Sequence, residues 1–186
     1  MNVCKTKLPG IVVLEPALFP DDRGYFLEFW QAKRYHDVGL PPSFVQGNVA
    51  KSHHGVLRGL HYQLRRPQGK LIWVSHGEIL DVALDIQSNS PTFGQWVSRI
   101  ISEENHVQIY ISPGFAHGYC VLSDVAIVQY LCTDFYVSGD EFGVHWNDPT
   151  LQIEWPVAQP HVSSKDHGWP ALGDIPQNLL PVQVEG

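Results

Sequence analysis

The sequence predicts an all-β protein whose strands form a double-sheet jelly roll, that is, a double-stranded β-helix. Short apolar runs rich in β-branched and aromatic residues recur along the chain, separated by Gly, Pro, Asn, Asp and Ser. Their spacing, roughly 8–12 residues per strand and turn, is typical of sandwiches and barrels. Pro and Gly become dense after about residue 156. We therefore expect a single domain over residues 1–186, with a barrel core at roughly 40–140, short helices and a C-terminal tail that wraps the body.

Ten segments carry the apolar patterns that favour strands. In chain order they are residues 11–15, 25–30, 44–51, 56–63, 70–75, 78–86, 95–102, 106–111, 118–122 and 126–132. Residues 31–38 have near-helical spacing and form the predicted short helix. Two Greek keys closed around one core suit this number of strands, and the wide end of such a barrel is a natural pocket mouth.

Composition argues against several classes of protein. The formal net charge of −7 disfavours broad binding to nucleic acid or to an anionic membrane. No apolar run approaches the roughly 18 residues that a membrane-spanning helix needs, and charged residues and prolines interrupt the N-terminal segment where a signal peptide would lie. Cys4, Cys120 and Cys132 lack the spacing of a disulfide framework. We expect reduced thiols and a cytoplasmic location.

Residues 55–63 combine a β-type apolar pattern with an arginine and a histidine three residues apart. Strand alternation would place His61 and Gln63 on one face, beside the space left by Gly59. That face suits the floor of a small-molecule pocket, although a lone histidine on a strand is more often a core residue. Arg58 is odd in spacing from His61, so we expect it on the opposite face unless a bulge at Gly59 re-aims it.

A second histidine, His117, stands where the chain leaves the turn at Pro113-Gly114. Together with the first stretch it resembles the two-motif arrangement of a cupin barrel. Metal-binding cupins place His-x-His and a Glu in the first motif and a His in the second. Here His61-Tyr62-Gln63 has an amide in place of one imidazole, and an amide is a poor ligand for such metals. We therefore expect no metal, which leaves His61 free for proton transfer.

Three further stretches have a structural and a functional interpretation. Arg23 and Glu28 lie in a charged turn before an edge strand, or in a site where arginine binds phosphate and aromatic rings pack a base. Asp166 lies in a solvated turn of the tail, or folds back onto His61 to orient its imidazole and raise its basicity. Tyr130 is a core tyrosine, or an acid across a pocket from the histidine.

Together, the order and spacing of these segments resemble the dTDP-4-dehydrorhamnose 3,5-epimerase family, metal-free cupins of sugar-nucleotide metabolism. The match covers roughly residues 10–170. The matching segments are DDRGYFLEFW, FVQGN, GVLRGLHYQ, QGKLIWVSHGEILDVALDI, SPTFGQWV, ISPGFAHGY, VQYLCTDFY, WNDP, IEWP and SSKD. The resemblance implies a jelly-roll homodimer that epimerises dTDP-4-dehydro-6-deoxy-glucose at C3 and C5 and needs no cofactor.

The resemblance also implies catalytic roles. Inverting a carbon next to a ketone requires a base on one face, an acid on the other and stabilisation of the enolate oxygen between them. His61 would be the base, with Asp166 as its partner, and Tyr130 the acid. Lys70 would place a positive charge near the keto oxygen.

Substrate-binding positions carry over from the family pattern in the same way. They are Arg23, Phe26, Glu28, Gln46, Asn48, Arg58, His117, Tyr136, Glu141 and Lys165. Arg23 and Arg58 would face the pyrophosphate. Phe19, Phe26 and Tyr136 are candidates for packing the thymine, some of them from the partner subunit.

Two positions depart from the family pattern. The family usually has Gln-Asp-Asn where this chain has Gln46-Gly47-Asn48, and often a serine in place of Ala50. The first change removes a carboxylate near the nucleotide-binding strand but leaves the proton-transfer set whole. Three other functions stay open: epimerisation at C3 or C5 alone on another dTDP-deoxysugar, non-catalytic binding of a sugar nucleotide, and metal-dependent cupin chemistry.

Overall fold

Two six-stranded sheets face each other in the computed structural model, which describes residues 1–183. Over these residues the strands are β1 (Asn2–Lys5), β2 (Ile11–Glu15), β3 (Leu18–Asp21), β4 (Gly24–Leu27), β5 (Gln46–His53), β6 (Val56–Gln63), β7 (Lys70–His76), β8 (Glu78–Asp85), β9 (Trp96–Ser102), β10 (Gln108–Ile111), β11 (Phe115–Val121), β12 (Val125–Cys132), β13 (Glu141–Gly143) and β14 (His161–Val162). The helices are α1 (Ala32–His36) and α2 (Ser164–His167), followed by 3-10 turns at Leu172–Asp174 and Gln177–Leu179.

Strands distant in sequence are neighbours in both sheets. The first sheet has the order β1-β2-β10-β7-β12-β5, and the second has the order β13-β6-β11-β8-β9. The two-residue strand β14 pairs parallel to β6, whereas the other pairs are antiparallel. Strands β3 and β4 form a separate hairpin. This connectivity is that of the predicted jelly roll.

The alternation of side chains along the strands divides the apolar residues among three clusters. In β7, Ile72 joins a central cluster built from both sheets, whereas the adjacent Leu71 packs with Tyr35 of α1 on the outer face of the first sheet. In β8, Ala83 joins the central cluster, whereas Leu84 belongs to the cluster on the outer face of the second sheet. Each sheet is therefore covered on two faces.

The C-terminal tail covers the outer face of the second sheet, as the sequence predicted. Leu172, Ile175 and Leu180 of the tail are buried in the same cluster as Leu84. Each buried side chain of this kind contributes roughly 1.5–3 kcal/mol to the free energy of unfolding. The tail is thus held to the barrel by its own apolar side chains, and it carries α2 to the edge of β6.

The observed strands match the predicted ones most closely in the barrel and differ at its ends. The predicted strand at 56–63 is β6 itself, Val56–Gln63. The prediction for 25–30 is too long because the Phe29 carbonyl accepts hydrogen bonds from the side chains of Tyr35 and Gln108 rather than from a strand. The prediction for 118–122 starts too late. Strands β1, β3, β13 and β14 were not predicted, since they are exposed or very short.

None of the helices in the described part of the chain is long and apolar enough to span a membrane.

Candidate active site

A cavity of about 740 Å³ lies between the two sheets and the tail. Strands β5, β7 and β12 of the first sheet line one side, and β6, β11 and β13 of the second sheet line the other. The structure brings all four predicted catalytic residues and seven of the ten predicted binding residues to its wall. They are Gln46, Asn48, Arg58, His61, Lys70, His117, Tyr130, Tyr136, Glu141, Lys165 and Asp166.

A register shift in β6 brings Arg58 and His61 to the same cavity. His61 pairs with His117 on β11, but Arg58 pairs with Tyr119, so one more residue separates them on β6 than on β11. Gly59 lies inside this shift with φ +119, and a Cβ there would be 2.5 Å from the β11 backbone. The uninterrupted alternation predicted for this strand is therefore wrong, and the bulge re-aims Arg58 into the cavity.

The tail delivers Asp166 to the imidazole of His61, although 105 residues separate them in sequence. The Nε2–Oδ1 distance is 2.5 Å, and the backbone N–H of Gly59 also donates to the Asp166 carboxylate at 3.4 Å. Ser163 caps α2 by accepting a hydrogen bond from the Asp166 backbone N–H. Asp166 is only 3% exposed, so the solvated-turn interpretation is wrong.

Asp166 is an anion in this environment. Burial raises the pKa of its carboxyl, but the hydrogen bond and charge attraction from His61, together with the Gly59 N–H, outweigh burial and hold the pKa below its usual range. Because Asp166 accepts at Nε2, the Nδ1 atom of His61 is the ring nitrogen left for another partner.

A second carboxylate, Glu141, lies on the Nδ1 side of His61. Its Oε1 atom is 3.5 Å from Nδ1, and its Oε2 atom accepts hydrogen bonds from Lys165 Nζ at 2.9 Å and from the Tyr136 hydroxyl at 3.2 Å. Burial raises the pKa of Glu141, but Lys165 and His61 together hold it below its usual range. Sequence reasoning missed the contact with His61 because it depends on the pairing of the three-residue strand β13 with β6.

Tyr130 and Lys70 lie on the opposite sheet from His61. They belong to the adjacent strands β12 and β7 of the first sheet, whereas His61 belongs to the second. Burial, with smaller effects from Cys132 and other neighbours, raises the pKa of Tyr130 to about 12, so its hydroxyl carries a proton near neutral pH. Burial lowers the pKa of Lys70, against the opposing attraction of Cys132 and Glu141. Tyr130 packs against the central apolar cluster and also lines the cavity, so the core and pocket interpretations both describe its position.

His117 and Arg58 add polar groups to the wall of the cavity. The Nε2 atom of His117 contacts the Asp81 carboxylate at 2.7 Å, and the Nε–H of Arg58 donates to Ser52 Oγ at 3.1 Å. Asp81 is fully buried, so it holds the His117 ring in one orientation. The end of the Arg58 guanidinium stays available to an anion.

The departure from the family pattern at Gly47 does not alter the cavity wall. Gln46, Asn48 and Ala50 line the cavity, and Gly47 alternates with them along β5. The Gln46 amide donates to Asn48 at 3.0 Å and accepts from the backbone N–H of Tyr136 at 2.8 Å. The substitution at Ala50 is the one that changes the wall.

Three predicted binding residues lie away from the cavity within one chain. Arg23 is at the tip of the β3–β4 hairpin, with its side chain 85% exposed and 2.5 Å from Asp21. Phe26 is 68% exposed on the same hairpin. Glu28 follows it and pairs with Arg34 at 3.3 Å. The structure therefore does not bring these three residues together with His61.

Residues 1–183 contain no group of three or more His, Cys, Asp or Glu side chains placed to hold a metal ion. The imidazole Nε2 atoms of His61 and His117 each contact a carboxylate instead. The expectation that the protein needs no metal and no cofactor stays a prediction.

The chain is similar to known proteins over most of its length. A family model described as dTDP-4-dehydrorhamnose 3,5-epimerase matches residues 5–174. The chain belongs to the dTDP-4-dehydrorhamnose 3,5-epimerase family. A member of this family from Shigella flexneri, named dTDP-4-dehydrorhamnose 3,5-epimerase, is 49% identical over 168 residues, which cover 89% of this chain and 93% of that protein. The family resemblance inferred from the sequence is confirmed.

Solved structures of epimerases share the fold of this family member. The crystal structure of dTDP-6-deoxy-D-glucose-3,5-epimerase from Legionella pneumophila, in complex with dTDP-4-keto-L-rhamnose, has a TM-score of 0.96 at 47% identity and covers 99% of both chains. A 3'-monoepimerase from Streptomyces bikiniensis, in complex with dTDP-quinovose, has a TM-score of 0.90 at 33% identity, with 95% of this chain and 91% of that chain covered. The jelly-roll prediction is confirmed.

Proposed function

We propose that the protein epimerises dTDP-4-dehydro-6-deoxy-D-glucose at C3 and C5 to give dTDP-4-dehydro-L-rhamnose, in dTDP-L-rhamnose biosynthesis and without a cofactor. The observation that carries this proposal is the His61–Asp166 pair, which faces Tyr130 from the opposite sheet across one cavity. An acid and a base on opposite faces of a bound sugar are what inversion next to a ketone requires. The names of the relatives point to the same reaction.

In the proposed reaction His61 removes the proton through Nδ1, because Asp166 occupies Nε2. The C–H bond breaks, its electron pair forms the enolate, and the Lys70 ammonium stabilises the enolate oxygen. Tyr130 then donates its hydroxyl proton to the same carbon from the other face. A buried phenol with a raised pKa suits this step, since it holds its proton until an enolate is formed.

The remaining polar residues of the cavity would bind the dTDP moiety and the sugar. Arg58 is the candidate for the pyrophosphate, since the net charge of −7 makes a local cation necessary for a doubly phosphorylated ligand. Gln46 and Asn48 offer amides from β5, and His117 offers a ring nitrogen from β11. Tyr136, half exposed at the mouth, offers a ring for stacking.

We also propose a homodimer in which the β3–β4 hairpin of one chain enters the cavity of the other. Phe19, Tyr25 and Phe26 are all more than half exposed on this hairpin, which pairs with neither sheet within residues 1–183. A lone two-stranded hairpin is marginally stable in water and gains from packing on another surface. Such an exchange would bring Arg23 and Phe26 to a bound nucleotide.

The proposed location is the cytoplasm. Cys4, Cys120 and Cys132 are free, and Cys4 is exposed. Free thiols suit a reducing compartment.

Turnover in D2O tests the proposed reaction. We expect the wild type to give a product inverted at C3 and C5, with deuterium at both carbons, and His61→Ala to lose turnover by about 100-fold or more. Label and inversion at only one carbon would favour a mono-epimerase, the second candidate, which the similarity to the Streptomyces bikiniensis enzyme supports. Wild-type turnover no better than that of His61→Ala would favour a sugar-nucleotide-binding module.

Chelation tests the expected independence from metal. We expect turnover to survive dialysis against a strong chelator, with protein that elemental analysis shows to be metal-free, because His61 and Lys70 supply the base and the cation that a metal would otherwise supply. Activity that is lost on dialysis and returns with one divalent metal would favour metal-dependent cupin chemistry.

A further inference from the structure

His61 lies between two carboxylates that differ in their access to solvent. Asp166 binds Nε2 at 2.5 Å and is almost fully buried. Glu141 lies 3.5 Å from Nδ1, and its side chain is 20% exposed, as is that of His61. The other oxygen of Glu141 contacts Lys165 and Tyr136, both about half exposed at the mouth of the cavity. Of the two carboxylates, Glu141 is therefore the one that joins the imidazole to polar groups at the exposed side of the cavity.

The reaction proposed above leaves a proton on His61 after each inversion. The base gains the proton that leaves the carbon, and Tyr130 loses the one that it donates. A second inversion at the other carbon needs a neutral imidazole again, so the first proton has to leave. Asp166 is a poor exit, because its oxygens already accept hydrogen bonds from His61, Gly59 and Trp169 inside the protein.

We propose that Glu141 carries this proton from His61 to solvent between the two inversions. In the first step the Nδ1–H bond of the imidazolium breaks and an O–H bond forms at Glu141 Oε1, which leaves a neutral imidazole. In the second step that O–H bond breaks and the proton passes to water or to a buffer base, which restores the carboxylate. Tyr130 regains a proton from water before the second inversion, so that the base and the acid are both reset and the enzyme gains and loses no net proton. Substrate and enolate are unchanged by these two steps.

The distance between His61 Nδ1 and Glu141 Oε1 suits both steps, the uptake of the substrate proton by His61 and its transfer to Glu141. A separation of 3.5 Å exceeds that of a normal N–H···O hydrogen bond, so Nδ1 of the neutral imidazole keeps a free lone pair for the substrate proton. Once His61 is charged, attraction draws the carboxylate closer. The lowered pKa of Glu141 keeps it ionised as an acceptor and makes its protonated form a short-lived one that releases the proton readily.

Glu141→Gln tests the relay, because glutamine keeps the shape of the side chain but takes up no proton. We expect kcat to fall by roughly 10- to 100-fold with KM changed less than about threefold, and the singly inverted sugar to accumulate. Raising the imidazole buffer concentration at constant pH and ionic strength should restore kcat several-fold, since a soluble base then removes the proton. A residue that only binds substrate would show no such rescue.

The matched control is Glu103→Gln. Glu103 also faces a histidine, His76, at 3.2 Å, but this pair lies outside the cavity. We expect wild type and Glu103→Gln to have the same kcat, independent of buffer concentration. Unchanged kcat in Glu141→Gln, or a loss confined to KM without buffer rescue, would overturn the relay. A wild type that inverts neither carbon would instead refute the proposed function itself.

Lys165→Met provides a second test that removes no buried group. Charged or titratable side chains from five segments face Glu141: His61, Lys70, Tyr130, Tyr136 and Lys165. Lys165 lowers the pKa of Glu141, so its loss should raise that pKa. Glu141 would then be protonated, and unable to accept, at a higher pH. At the acid end of the pH profile, kcat of Lys165→Met should fall below that of wild type, and a higher acetate concentration at constant pH should restore it, because a soluble base replaces Glu141 but leaves the protonation of His61 unchanged. Equal profiles for the two proteins, or a loss that acetate does not restore, would contradict the relay.

Discussion

The Asp166 carboxylate occupies Nε2 of His61 and so leaves Nδ1 for the proposed proton transfer. Its contact with Nε2 at 2.5 Å orients the ring, with Nδ1 on the side of Glu141. Residue types alone could not predict this pairing, because 105 residues separate the two side chains and the Ser-Ser-Lys-Asp run is equally typical of a solvated turn. The residues left the solvated turn and the contact with His61 as alternatives, and the family resemblance favoured the contact.

Tyr130→Phe should separate proton removal from inversion. Phenylalanine keeps the ring in the β12 wall but has no proton to donate, whereas His61 can still remove a proton and return one to the same face. We expect inverted product to fall by about 100-fold or more, while the recovered starting sugar still gains deuterium in D2O. NMR of the recovered sugar measures this exchange. Inversion at the wild-type rate would remove Tyr130 from the mechanism.

Two glycines let β6 and β11 approach each other closely at the register shift. A Cβ on Gly118 would lie 2.7 Å from the Arg58 carbonyl oxygen and 3.2 Å from Gly59 Cα. The shift therefore depends on two residues without side chains, one on each strand. The orientation of Arg58 and His61 toward one cavity follows from it.

Gly118→Ala should destabilise the barrel at this point. We expect the free energy of unfolding to fall by roughly 1–3 kcal/mol, which corresponds to about 3–10 °C in melting temperature for a chain of this size. Calorimetry or thermal circular dichroism measures the change. Gly173→Ala is the matched control, since nothing lies within 4 Å of a Cβ there. Equal melting temperatures for the two variants would show that the strands can move apart at no cost.

Alternation of apolar and polar residues predicted the central strands but not the site that they build. The period of two is a property of one strand, so β6 was placed correctly at Val56–Gln63. A bulge is a property of two strands, and whether Gly59 opposes one residue or two depends on the register with β11. The position of Glu141 likewise depends on the pairing of β13 with β6, and β13, with three residues, is too short to show an alternation of apolar and polar residues.

The hairpin at residues 18–27 pairs with neither of the two large sheets in the described part of the chain. Its aromatic side chains are exposed, and Arg23, Phe26 and Glu28 lie outside the cavity. Sequence reasoning placed all three in the site by resemblance. In the proposed homodimer the hairpin packs on the other subunit. This packing would explain both why its aromatic side chains are exposed in one chain and why its predicted binding residues lie outside that chain's cavity.

Mixing two defective variants tests the exchange of hairpins. Chains with His61→Ala keep an intact hairpin, and chains with Arg23→Ala keep an intact cavity. After unfolding and refolding a 1:1 mixture, half of the dimers should contain one complete site, which gives about a quarter of wild-type activity. Each variant refolded alone should stay nearly inactive. A mixture no more active than the average of its components would contradict the exchange, and sedimentation would report whether dimers had formed.

Because Asp166 lies on the tail, about nine-tenths of the chain has to be synthesised before the His61–Asp166 pair can form. A nascent chain could complete every strand from β1 to β13 and still lack the carboxylate that contacts His61. Catalytic activity would then appear only after the last stage of folding, in which the C-terminal segment docks on the barrel. A protease cut between β13 and β14 that released this segment would switch off the enzyme and leave most of the barrel in place.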